Sequence, residues 1–157
     1  MPRRRRVVLT GVGAITPVGD NVESTWKAMV EGRTGVARLT SFESPFNSQI
    51  AAEIKDFDGT PYMTTKQIRR LDIFVQYAIA AAKMAVTDSG IDMEKIDEEK
   101  AGVYIGSGIG GLHTIEAEHT KYMLTEDENV AAARLSPFLI PMLIVNMASG
   151  MVSVELG

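Results

Sequence analysis

The run Val103-Tyr104-Ile105-Gly106-Ser107-Gly108-Ile109-Gly110-Gly111 places four glycines within six positions, behind a short apolar stretch and ahead of a helical pattern. Glycine lacks a Cβ and takes positive φ readily. Such a cluster therefore marks backbone that a ligand, a cofactor or another chain segment approaches closely. Residues 106–111 fit G-x-G-x-x-G, the turn that lays a pyrophosphate on a helix N-terminus. That chemistry also needs a second strand after the helix, with an acidic residue about 20 positions on for the ribose. Here the helix leads instead into Glu126-Asp127-Glu128 and a proline-bounded apolar stretch, which counts against a dinucleotide-binding domain. The segment Gly11-Val12-Gly13-Ala14-Ile15-Thr16 fits less well, because Thr16 occupies the third glycine position and Pro17 follows.

Other chemistries are narrowed by what is absent. The chain has no cysteine, hence no disulfide, thiolate ligand or thiol nucleophile. Ser107 has Ile105 and Ile109 where a nucleophile elbow would have glycines, so serine hydrolysis is disfavoured. His113 and His119 are the only histidines, and Glu116 with His119 supplies one Glu-x-x-His where a di-iron site needs two. No metal site is expected. Lys66, Arg69 and Arg70 stand at i, i+3 and i+4, so a helix there would carry three positive charges on one surface of a chain whose net charge is −4. Spacing leaves two readings: a solvated face partly neutralised by Asp72, or a landing place for an acidic partner. The overall charge gives no nucleic-acid footprint.

These residues must be positioned by regular elements, and the 157-residue length suits one domain with a core of its own. Arg6–Thr10 reads as a β-branched strand followed by a glycine turn, and Asp20 or Asn21 caps a helix to about Glu31, closed by Gly32. Trp26, Met29 and Val30 are expected to face inward. A strand at Gln49–Ile54 interrupts an irregular region, and a helical region runs from Thr64 or Thr65 to about Thr87, stopping at Ser89-Gly90. Its alanines at 78, 80, 81, 82 and 85 keep one surface narrow, which predicts a close neighbour. A charged connection, a strand at Ala101–Gly106 and an amphipathic helix at Leu112–Leu124 complete a layered α/β pattern.

Two segments mimic membrane or export signals. Arg3–Arg6 before Val7-Val8-Leu9-Thr10 resembles a signal peptide's start, yet Gly11, Gly13 and Pro17 break the apolar region and no cleavage site follows. Leu135–Val154 is twenty residues without a charge, but Pro137, Pro141, Asn146 and Gly150 favour a helix buried between protein surfaces over membrane insertion.

Four blocks occur together in order: Val7 to Gly19, then Arg69-Arg70-Leu71-Asp72 with Phe74 and Gln76-Tyr77-Ala78, then Gly106 to Gly111, and finally Asn146-Met147-Ala148-Ser149-Gly150. In this the chain resembles the β-ketoacyl-acyl-carrier-protein synthases, most closely the elongating bacterial type, over essentially its whole length. The resemblance implies a thiolase-like layered α/β fold, of which residues 1–157 would be the first half, incomplete. It also implies decarboxylating Claisen condensation in fatty acid synthesis, in the cytoplasm, by a homodimer that takes acyl carrier protein as partner. No cofactor is implied. The family's cysteine follows the Asn-Met-Ala-Ser-Gly helix and its histidines come later, so no catalytic residue is expected here; His113 and His119 do not match. By the same resemblance Lys66, Arg69 and Arg70 belong to the carrier-docking surface, Ile109 gates the acyl pocket, and Phe138 and Leu139 approach the partner subunit's pocket. The chain alone is expected to be inactive and poorly stable as a monomer. A non-catalytic heterodimer partner is the alternative.

Overall fold

The computed structural model describes residues 5–157; Arg3 and Arg4 of the basic start lie outside them. The chain forms two compact units, one comprising residues up to Asp58 with Ala81–Ile91, the other Gly59–Ala80 with Asp92–Gly157.

In the first unit, α1 spans Val22–Val30. Asn21 begins it with a capping box: its side chain accepts from the Ser24 amide at 2.8 Å, and the Ser24 hydroxyl accepts from the Asn21 amide at 3.3 Å. Gly32, at φ +67°, follows the helix end as expected. The expected inward face does not form. Trp26 is 65% exposed, Met29 and Val30 likewise project outward, and Ala28 takes the interior position. The turn of α1 that meets the unit's interior is therefore its smallest apolar one, and the larger side chains lie on uncovered faces.

β1 (Val36–Arg38) and β2 (Ile50–Ala52) pair antiparallel, Val36 opposite Ala52 and Arg38 opposite Ile50. β2 lies inside the strand expected at Gln49–Ile54; β1 had no clear pattern. Just past β2, Glu53 accepts from the Thr40 amide and hydroxyl, both at 2.9 Å, and from the Ser41 amide at 3.1 Å. Hydrogen bonds from Ser41 and Thr40 hold its carboxyl down to about 2.

The helical region expected from Thr64 to Thr87 is two helices, α2 (Thr65–Ile68) and α3 (Ile73–Ser89), with Gly90 at φ +63° after the second. From Ala81 onward α3 belongs to the first unit, where its narrow surface meets the Gly11–Gly13 turn. A Cβ on Gly11 would lie 2.1 Å from the Ala85 carbonyl oxygen, and one on Gly13 1.9 Å from that of Ala81. The Val12 amide donates to Asp88 at 2.9 Å. Small residues on α3 and glycines in the turn thus form one backbone-to-backbone contact.

The second unit contains α2, the first half of α3, α4 (Leu112–Met123), α5 (Glu128–Arg134), α6 (Leu139–Leu143) and α7 (Met147–Leu156). α4 packs on α5 and α6, and α6 on α7. Its buried apolar residues include Leu71, Val75, Ile79, Ala131, Ala148 and Val152. The uncharged stretch 135–154 is not one helix. Ile144 leaves α6 in an extended conformation, at φ −73° and ψ 136°, and α7 starts afresh at Met147. Among the described residues no helix is long and apolar enough to cross a membrane.

The strands expected at Arg6–Thr10 and Ala101–Gly106 are absent from the described residues. Val7 is 94% exposed, Leu9 84%, and Tyr104 is fully exposed. β-branched and aromatic residues form a strand only by pairing and by packing against a neighbour, and these two segments have neither here.

Candidate functional site

The residues assigned to docking and to the acyl pocket, with the glycine turn at 106–111, lie in the second unit, on the α2–α3 junction, the head of α4 and the approach to α6. Thr64 starts α2 with a capping box to Gln67, whose side-chain oxygen accepts from the Thr64 amide at 2.8 Å. The helix carries Lys66 and ends at Ile68, so Arg69 and Arg70 fall in the turn behind it rather than on the body of a longer helix. All three cationic side chains are exposed. Gln76, itself buried, closes the turn by donating to the Leu71 and Ile68 carbonyls at 2.8 and 3.1 Å.

Asp72 does not neutralise this cationic surface. It is 6% exposed, and its carboxylate accepts from the Thr114 hydroxyl at 2.5 Å and the Phe74 amide at 3.3 Å, capping α3 and tying it to α4. The solvated-face reading loses its counter-charge.

What approaches the glycines at the head of α4 is the chain itself. A Cβ on Gly110, at φ +82°, would lie 2.4 Å from the Leu143 carbonyl oxygen, and one on Gly111 2.2 Å from that of Met142. The Gly111 amide donates to Leu143 at 3.0 Å and the Gly110 amide to the Ser107 hydroxyl at 3.1 Å. A phosphate on this helix terminus would need both amides free. The dinucleotide reading is therefore set aside. Gly106 and Gly108 have open space where a Cβ would stand. Ile109, 63% exposed, sits between that open stretch and the clamp on α6.

Phe138 and Leu139 are half-buried at the start of α6. A buried carboxylate holds this approach: Glu118 on α4, 6% exposed, accepts from the Ser136 amide at 2.7 Å and pairs with Lys121. Ser136 in turn accepts from the Phe138 amide at 3.2 Å through its hydroxyl. The hydrogen bond from Lys121, then that from the Ser136 amide, holds the Glu118 carboxyl below the ordinary carboxylate range against the opposing effect of burial. The Arg70 guanidinium lies over the Phe138 ring, 4.6 Å from its centre. Thus the structure joins Arg70 to Phe138, and connects Ile109 through the Gly110–Gly111 clamp to the far end of α6. Sequence reasoning missed the Asp72–Thr114 and Glu118–Ser136 bonds. An aspartate just ahead of an apolar helix was a visible cap signal, whereas nothing in the sequence pairs Glu118 with Ser136. Glu116 and His119 are exposed, and among the described residues no group of three His, Asp or Glu side chains could hold a metal ion.

The beta-ketoacyl synthase N-terminal domain matches residues 4–157, and the chain belongs to that family. Curated relatives include 3-oxoacyl-[acyl-carrier-protein] synthase 2 of Vibrio harveyi, 43% identical over 98% of this chain and 36% of the relative. The Staphylococcus aureus protein of the same name is 40% identical over the whole chain and 37% of the relative. The fold is thiolase-like, shared with solved ketosynthases. One, from a type II polyketide synthase and in complex with its acyl-carrier protein, is 27% identical, with a TM-score of 0.78 over 98% of this chain and 39% of that one. Another, the ishigamide ketosynthase/chain length factor, is 29% identical, with a TM-score of 0.79 over 98% of this chain and 38% of that one. The chain therefore spans little more than a third of the length of the relatives it matches.

Proposed function

We propose that these residues form the N-terminal part of a cytoplasmic, homodimeric 3-oxoacyl-acyl-carrier-protein synthase that extends acyl chains in fatty acid synthesis. The observation that carries this reading is that likeness to synthases of that name runs through the whole chain rather than through one glycine motif. In the reaction a cysteine thiolate takes the acyl group from its carrier thioester, releasing the carrier thiol. A malonyl thioester then loses carbon dioxide, and the resulting carbanion attacks the acyl-enzyme carbonyl, expelling the thiolate and leaving a 3-oxoacyl thioester. The 157 residues hold no cysteine, so the nucleophile has to come from outside them. Their own part is to receive the carrier on Lys66, Arg69 and Arg70 and to shape the acyl pocket with Ile109, Phe138 and Leu139. No cofactor is required by this chemistry.

In the intact protein, condensation of an acyl with a malonyl carrier should be measurable, and Arg69→Glu should weaken carrier binding several-fold at low salt and little at high salt. Condensation by a protein confined to these 157 residues would overturn the assignment of the nucleophile. A second reading, a non-catalytic partner of a condensing enzyme, draws on the likeness to a ketosynthase/chain length factor pair. Cerulenin labelling of a cysteine in the intact protein supports the enzyme; carrier binding without labelling or condensation supports the partner.

A further inference from the structure

We propose that Phe138 is a positioning residue for carrier docking: its ring holds the Arg70 guanidinium in place to receive carboxylates of an acidic carrier protein. The inference rests on the docking role given above to Lys66, Arg69 and Arg70, and it gives Phe138 a task distinct from lining an acyl pocket.

Both members of the pair rise from backbone that hydrogen bonds hold in place. The Arg70 amide donates to the Gln67 carbonyl at 2.9 Å, and Gln76 fixes the neighbouring Leu71 carbonyl. Phe138 stands on Ser136, which the buried Glu118 anchors to α4. The ring thus rises from anchored backbone, half-buried, and the guanidinium lies over it at 4.6 Å. An arginine that uses its π-face on a ring keeps its in-plane N–H donors for a carboxylate, and less side-chain freedom is lost on binding. Lys66 and Arg69 are exposed, and no ring contact is seen for either among the described residues. Charge steers the encounter through all three, whereas geometry is set at Arg70.

The test is a double-mutant cycle in the intact protein, read as affinity for acyl carrier protein at low salt. Phe138→Leu removes no charge yet should weaken binding about two- to fivefold, the range expected for one exposed cation–π contact. Phe138→Tyr should restore it. In an Arg70→Gln background Phe138→Leu should have no further effect, which a general loss of fold would not imitate. Phe138→Met, closer in length and flexible, carries the same cycle if the leucine variant fails to fold. Wild-type affinity in Phe138→Leu alongside weakened binding in Arg69→Glu overturns the platform and leaves the docking surface standing. Equal loss with and without Arg70 also overturns it. Wild-type affinity in both Phe138→Leu and Arg69→Glu removes the docking surface and the platform together.

Discussion

Gly111 and Gly108 lie three residues apart in one glycine run, yet replacing each by alanine should act in opposite directions. At Gly111 the new Cβ would stand 2.2 Å from the Met142 carbonyl oxygen, 2.9 Å from the Leu143 Cα and 3.0 Å from an Asp72 carboxylate oxygen. The obstacle is mostly backbone, and it must retreat by about 0.8 Å to reach the closest separation real Cβ atoms show. Overpacking of this kind costs about 1–3 kcal/mol. The retreat also lengthens the 3.0 Å bond from the Gly111 amide to Leu143, with about 1 kcal/mol at stake. Gly111 has φ −79° and ψ 59°, an inverse-γ conformation open to alanine, so the stiffer unfolded chain returns about 0.4–1 kcal/mol. The net loss is about 2 kcal/mol, a urea midpoint lower by about 1 M for an m-value near 2 kcal/mol/M. A Cβ on Gly108 meets nothing, so Gly108→Ala should be neutral or stabilising by up to about 1 kcal/mol. Urea unfolding of both variants beside the wild type decides the matter. Equal midpoints for the two, or a lower one for Gly108→Ala, would refute the claim that the chain's own backbone fills the glycine turn.

Two further perturbations probe the carboxylates beneath the site. Thr114→Val keeps the side-chain shape but deprives buried Asp72 of its hydroxyl donor, and should lower stability by about 2 kcal/mol, with Thr114→Ser recovering much of it; denaturation of the two variants checks this. Glu118→Gln should destabilise the protein at neutral pH and change its pH dependence. Because the folded-state pKa of Glu118 is lowered, its stabilisation is present above the ordinary carboxylate value and is lost as pH falls through the lowered one. The gap between wild type and Glu118→Gln midpoints should therefore close in acid; a gap that widens there contradicts the role assigned to Lys121 and Ser136.

Legibility in the sequence followed the range of the interaction. Helix starts and stops were readable because a cap is made by residues three apart: Asn21 with Ser24, Thr64 with Gln67, and the glycines at 32 and 90. The alanine stripe on α3 announced a close neighbour but could not name Gly11 and Gly13, more than sixty positions earlier. The break between α2 and α3 was missed because Arg69 to Asp72 carry no proline or glycine; the one signal there was Asp72, which turns inward to Thr114 and starts a new helix. Burial was the weakest inference. Apolar spacing placed Trp26 inside, and strand propensity placed Val7 and Leu9 in a sheet, because both measures presume a partner surface that these residues do not supply. In the site, Arg69 and Arg70 fall inside a block that carries the resemblance, whereas Lys66, Phe138 and Leu139 lie outside all four, and the junction of Arg70 with Phe138 depends on a contact across 68 positions.

The uncovered run from Val7 to Leu9 has a consequence in time as well as space. At about 5–20 residues per second, the 148 residues that follow Leu9 in this sequence take roughly 7–30 s to add. Through that interval a β-branched segment with open backbone groups is available to whatever pairs first, including the same run on a neighbouring nascent copy. Translation rate and ribosome spacing thus bear on the yield of this protein, through a segment whose sequence suits a sheet and which no sheet among the described residues takes up.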